Sequence, residues 1–256
     1  MNDFINSNRF TDSAGVPWQG RSFEQNTFSD DDGSAPIELI SAISSFKQGR
    51  LGSEKVIDQI RNSRLLVPLV ANLAEAELGA HGHTIDKSAE LSIVTVKSPD
   101  EQDSLVVFSS VASMARWNPS ARPVPSDAVR VALAAASQMA TRIVLDPGSE
   151  SEFVIRRPAI AKIAQSLDWL PPEKDPAVRF AIEESVAGES EIVEFELASG
   201  DPSSTLKGSE LAVSIRIQNG LAPEAVRNLL ERVTGRWSLS EVFASCVDSV
   251  SVKLVS

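Results

Sequence analysis

The sequence predicts an α/β (α+β) protein: a mixed β-sheet covered by helices, followed by a smaller α+β domain. Three observations carry this. Between residues 64 and 167 short β-prone runs alternate with helical stretches, which favours a sheet with helices packed over it. Prolines at 171, 172 and 176 then interrupt the chain, and an acidic segment begins. Beyond it, two β-prone runs, a helical period and a last β-prone run make up a second unit of about eighty residues. The boundaries that follow are 1–35, 36–172 and 173–256.

Residues 1–35 are rich in Asn, Ser, Asp and Gly and show no helical or strand period. They are expected to be disordered, or loosely attached, when alone. Within them Trp18, Phe23 and Phe28 recur at intervals of five, with Arg21 between the first two. Either they pack on the chain's own folded body or they anchor a partner. Ordering ten residues costs roughly 10–20 kcal/mol of backbone entropy, so both roles need several side chains buried together.

From Pro36 the spacing of Ile37, Ile40, Ile43 and Phe46 predicts a helix, with Gly49 as its stop. Ser53 can cap a second helix through Val56, Ile57 and Ile60, with Glu54 well placed in its first turn. Arg64 to Val70 reads as a buried strand, in which Pro68 marks an edge or a bulge because it lacks a ladder donor. A polar loop leads to a nearly continuous β-prone run, Leu91 to Lys97, ended by the turn Ser98-Pro99-Asp100. Then come a strand at Leu105 to Phe108, helices at Val111 to Trp117 and Ser126 to Ala140, strands at Arg142 to Leu145 and Phe153 to Ile155, and a helix from Pro158 to Leu167. Asp146-Pro147-Gly148-Ser149 is a tight turn and makes the strand pair a hairpin. The C-terminal unit reads helix Ala177 to Val186, strands Ile192 to Leu197 and Leu211 to Ile217, helix Pro223 to Val233, a short helix near Leu239 to Phe243, and strand Val250 to Val255. In the first of these strands Ile192, Glu194 and Glu196 alternate with Val193, Phe195 and Leu197, so one face is wet.

Composition narrows the function classes. The net charge of -11 is uneven: residues 1–36 hold six acids against two bases, 37–170 fifteen against fourteen, and 171–256 fourteen against eight. A nucleic-acid surface needs clustered Lys and Arg, so none is expected. The start has no basic residue ahead of an apolar run, and no stretch of eighteen apolar residues occurs; a cytoplasmic protein without membrane contact is expected. The single cysteine, Cys246, has the apolar neighbours Phe243 and Val247 and no flanking cation, and reads as a packed residue.

No phosphate-binding glycine loop, dinucleotide fingerprint or nucleophile elbow occurs, so no catalytic residue and no cofactor is expected. His81 and His83 are the only histidines; with Asp86 or Glu90 they could contribute to a metal site, but a solvated loop explains them and no metal is expected. Adjacent carboxylates such as Glu183 and Glu184 point apart on a helix and suit solvent. The sharper candidate is the helix entrance at Ser109-Ser110, where free N–H groups could hold an anion with Lys87, Arg156 or Arg157 supplying charge. The competing reading is that the serine is simply the helix cap.

Several motifs recur in one order: Asp31-Asp32-Gly33, Arg64 to Pro68, Phe108-Ser109-Ser110, Trp117, Arg122 to Pro125, Val144 to Pro147, Arg157-Pro158 and Trp169 to Pro172. Through them residues 31 to about 176 resemble the SseB family, in particular the N-terminal SseB domain of bacterial proteins. The resemblance implies a compact α/β domain and supplies no reaction, cofactor or catalytic residue. The reading reached is a non-enzymatic protein-interaction module. Trp18, Arg21, Phe23 and Phe28 would bind an unidentified protein partner, with Asp31 and Asp32 steering a basic one. A small-molecule or anion sensor is the alternative, and an enzyme acting through the sulfur of Cys246 comes third.

Overall fold

The computed structural model of the chain describes Phe28 and residues 31–72, 90–97 and 101–255. The described residues from Gly33 onward form one compact unit. Of the preceding 32 residues, Phe28, Asp31 and Asp32 are described, and the Asp31 N–H closes a turn on the Phe28 carbonyl at 3.2 Å. The fold is α+β.

Helix α1 (Ile37–Lys47) stops where Gly49, at φ +70°, donates its N–H to the Phe46 carbonyl. Its buried stripe runs through Leu39, Ala42 and Ile43, with Phe46 packed alongside, whereas Ile37 is 80% exposed. The three-residue series expected from Ile37 therefore starts one position off the core face. Helix α2 (Ser53–Arg61) has Gly52 at its cap position, so Ser53 is its first helical residue and not the cap. Val56, Ile57 and Ile60 are buried as their spacing predicts.

Strand β1 (Arg64–Asn72) lies in the middle of an antiparallel three-stranded sheet, between β2 (Glu90–Ile93) and β5 (Arg122–Asp127). This corrects the expectation that Pro68 marks an edge or a bulge. Leu66 and Phe108 exchange N–H···O bonds at 2.8 and 2.9 Å on the side of β1 away from β5. Strand alternation turns the Pro68 nitrogen to that same side, between the Phe108 bridge and the β2 pairing that begins at Leu69. No ladder bond is lost there.

The run from Leu91 to Lys97 is two strands. After Val94, β3 (Thr95–Lys97) joins a second sheet, β3-β4-β6-β7, made with β4 (Asp103–Val107), β6 (Arg142–Leu145) and β7 (Phe153–Arg156). The β4 and β6 strands are parallel; β6 and β7 form the expected antiparallel hairpin, through Asp146 at φ +48° and Gly148 at φ +73°. Helix α3 (Val111–Trp117) follows β4. Helix α4 (Ala128–Ser137) starts later than Ser126 suggests, because Asp127 is its cap and accepts the Arg130 N–H at 2.8 Å. Ser126 belongs to β5. Helix α5 (Arg157–Ala164) ends ahead of Leu167, with Ser166 in the left-handed region at φ +57°.

Helices α1, α2, α4 and α5 cover one face of the second sheet, and Phe46 meets Phe153 edge-on at 5.4 Å. On the other face Leu66, Val106, Phe108 and Met114 form a smaller core, with Trp117 5.4 Å from Phe108. Strand β4 is buried on both faces, which is why its sequence is continuously apolar after Ser104.

After the prolines, α6 (Pro176–Val186), α7 (Pro223–Ser238) and α8 (Glu241–Cys246) pack against a third sheet, ordered β10-β9-β8. Its strands are β8 (Ile192–Ser199), β9 (Leu211–Ile217) and β10 (Val250–Val255), with β10 parallel to β9. Helix α7 runs past Val233 because Trp237, one turn on, stacks on Phe243 at 5.3 Å and donates its indole N–H to the Ser185 hydroxyl at 2.7 Å. In β8 the register shifts between Ile192 and Glu194. Val193 is the bulged residue, 58% exposed, and Ile192 sides with Phe195 and Leu197 against the core. That reverses the expected grouping of Ile192 with Glu194 and Glu196. Among the described residues no helix is long and apolar enough to cross a membrane.

Candidate functional site

A groove of about 840 Å³ lies between α1, α3 and the β6–β7 turn. Ile40 and Trp117 give it apolar walls, and Lys47 and Arg116 bring positive charge. The Lys47 ammonium donates to the Glu150 carbonyl at 2.6 Å, and the Arg116 guanidinium to the Ser113 hydroxyl at 3.3 Å. A second depression of about 680 Å³ shares Lys47 and Ser149 with the first and is lined further by Glu152, Ser203, Thr205 and Lys207.

Asp146 lines the groove yet is only 1% exposed. Its carboxylate accepts the Ser109 N–H at 2.9 Å, the Ser109 hydroxyl at 2.6 Å and the Ser151 hydroxyl at 2.7 Å. It thereby ties the end of β4 to the hairpin turn. Three short donors fill most of a carboxylate's accepting capacity. The same bonds bear on the proposed anion entrance, since both Ser109 donors already face a carboxylate. Ser110 caps α3, accepting the Ser113 N–H at 3.0 Å.

The two arginines named with those serines lie elsewhere, where the chain after Pro171 meets the end of β7 in the second sheet. Arg156 is buried and donates to Asp248 at 3.2 Å, to Asp201 at 2.8 Å, to the Ser249 hydroxyl at 3.1 Å and to the Gly208 carbonyl at 2.7 Å. Arg142, also buried, reaches the other Asp248 oxygen at 2.7 Å. Arg157 donates to the Ala244 and Val247 carbonyls at 2.8 and 3.0 Å, placing a cation at the C-terminal end of α8, where the helix dipole favours it. Glu210, 7% exposed, accepts the Asp248 N–H at 2.6 Å. Burial pushes its carboxyl up to about 7, against the pull of that hydrogen bond. Burial also raises Glu173, which shares with Glu210, Asp201 and Trp169 a cavity of about 30 Å³. Lys174 turns away from it to Glu54, at 3.0 and 3.1 Å.

Trp18, Arg21, Phe23, His81, His83, Asp86 and Lys87 lie outside the described residues. Phe28, Asp31 and Asp32 are at the turn described above, and Glu90 begins β2. Cys246 ends α8, half-buried, its sulfur 3.6 Å from the Ser245 hydroxyl. Sequence reasoning missed Lys47, Arg116 and the junction acids. Asp146 before Pro-Gly could have been found, since an aspartate opening a tight turn is placed to accept nearby donors. Asp201 and Asp248 carry no comparable mark.

The sheets and their helical layers define an α+β protein with a groove on its first half and a buried ionic junction to its second. Residues 38–162 match the family described as SseB protein N-terminal domain. Over that stretch, just under half of its length, the chain is similar to the SseB N-terminal domain. No curated protein and no solved structure matches it.

Proposed function

We propose that this protein is a cytoplasmic, non-enzymatic protein-interaction module whose binding surface is the groove between α1, α3 and the β6–β7 turn. The observation that carries the reading is the groove's lining: Trp117 and Ile40 beside Lys47, Arg116 and a row of hydroxyls. Aromatic and arginine side chains set among polar groups are the composition of protein interfaces. The groove's buried carboxylate is committed to holding Ser109 and Ser151, an anchoring role. The adjoining depression toward Lys207 extends the surface beyond the size of a small-molecule pocket. Trp18, Arg21, Phe23, Phe28, Asp31 and Asp32 are proposed as a second recognition element, their acids suited to a basic partner.

The test is a cross-linked pull-down from native lysate with the full chain, a Lys47→Glu/Arg116→Glu variant and a chain starting at Pro36. A stoichiometric partner held by the full chain and lost by the charge-reversal variant supports the groove. Loss only on truncation assigns recognition to residues 1–35. If all three hold nothing, the interaction reading is wrong, and thermal shift with phosphate and carboxylate anions tests the sensor alternative.

A further inference from the structure

The junction between the two halves contains one carboxylate too many. Two guanidinium groups, Arg142 and Arg156, face Asp248 and Asp201, each pair within 3.2 Å, and all four side chains are at most 8% exposed. Those charges balance. Glu210, at the start of β9, is the third buried acid, and among the described residues no cation lies within ion-pair distance of it. Its partner is a backbone donor, the Asp248 N–H, so it grips the same turn that carries the Asp248 carboxylate into the arginine pair.

The surroundings from each packed element are mostly acidic. Strand β7 presents Arg156 and β6 presents Arg142; the turn before β10 presents Asp248 and Ser249; the β8–β9 loop presents Asp201. The segment after Pro172 presents Glu173, while Lys174 is occupied by Glu54 of α2. Removing the proton from Glu210 therefore adds a negative charge beside Asp248 and Glu173 in a site largely closed to solvent, where the countering cation, Arg156, is already paired with two acids.

We propose that Glu210 is a proton-operated latch: protonated, it holds the C-terminal unit closed on β6 and β7, and its ionisation loosens that contact. The direction of its titration agrees, since burial moves the carboxyl up into the range of cellular pH. An acid whose folded-state value is raised stabilises the closed form fully below its unfolded value and loses that contribution as pH rises through the folded one. With the carboxyl at about 7 in the closed form against the ordinary 4.5, opening of the junction should increase about tenfold between pH 6 and pH 8.

The experiment is hydrogen exchange on the full chain at several pH values, corrected for intrinsic rates. The reporting amides are Asp248, bonded to Glu210, and Val154, which donates to the Ser204 carbonyl across the junction. The wild-type chain should lose protection about tenfold over this range, Glu210→Gln should be flat, and Glu173→Gln should keep the slope. A flat wild-type profile, or an equal slope in Glu210→Gln, overturns the proposal. Should the Gln variant fail to fold, a carbon-detected titration of the wild-type Glu210 carboxyl decides: a midpoint above pH 6 is expected, and an ordinary one near 4.5 refutes the latch.

Discussion

Truncating Arg156 to Ala removes four hydrogen bonds at once and leaves the carboxylates of Asp201 and Asp248 in a site where each is 3% exposed. Breaking a buried ion pair from one side costs about 3–5 kcal/mol. Two features hold the cost to the lower part of that range. Asp248 keeps Arg142 at 2.7 Å, and Asp201 keeps the Leu206 and Thr205 N–H groups at 2.8 and 3.2 Å. The orphaned Gly208 carbonyl adds about 1 kcal/mol. The expected loss is therefore about 3–4 kcal/mol, read by urea unfolding of the full chain. Arg216→Ala is the control, because the Arg216–Glu194 pair is 44% and 49% exposed and such pairs contribute about 0–1 kcal/mol. If Arg156→Ala costs no more than the control, the junction is not held by its buried charges and the reasoning fails.

Two tryptophans should respond differently to replacement by Phe. Trp237→Phe loses the bond to Ser185 and should cost about 1–2 kcal/mol, whereas the Trp169 indole N–H is buried with no partner among the described residues, so Trp169→Phe should change the melting temperature little. A Cβ on Gly208 meets the Gly200 carbonyl oxygen, so Gly208→Ala should cost about 1–3 kcal/mol and speed proteolysis within residues 200–210. Glu189 is held down to about 2, chiefly by the Arg232 hydrogen bond, so its contribution is present above the ordinary 4.5 and lost as pH falls toward 2. Both arginines are nearly half exposed, so Glu189→Gln should flatten the acid limb of the stability profile by less than about 1 kcal/mol.

Much of the fold was legible where local chemistry and burial agree. Strands β6, β9 and β10 and helix α3 fall where apolar spacing puts them, and Gly49 ends α1 for the reason its lack of a Cβ suggests. Misreadings came where tertiary partners decide. Nothing local says that Val94 separates strands of two different sheets, or that the register of β8 slips at Val193. Ser126 and Asp127 are both good caps in isolation, and the Asp127 carboxylate, which accepts the Arg130 N–H, settles the matter. The Ser109 junction was recognised, but its partner Asp146 lies 37 positions on. Of the arginines of the expected anion site, Arg156 is instead bound by acids and Arg157 by backbone carbonyls, all from far along the chain, a pairing that sequence spacing does not encode.

The pairing of β1 with β5 has one further consequence. Val124 sits opposite Val67, and the Val67 N–H faces β5 because that of Leu66 faces Phe108. Pro123 and Pro125 therefore direct their nitrogens outward along the margin of the sheet, where no described strand pairs. A visiting strand needs donors at every second residue, and at two successive outward positions this margin has none to give. The sheet is thereby chemically blunted on that side, protected from edge-to-edge aggregation by two prolines of its own outer strand.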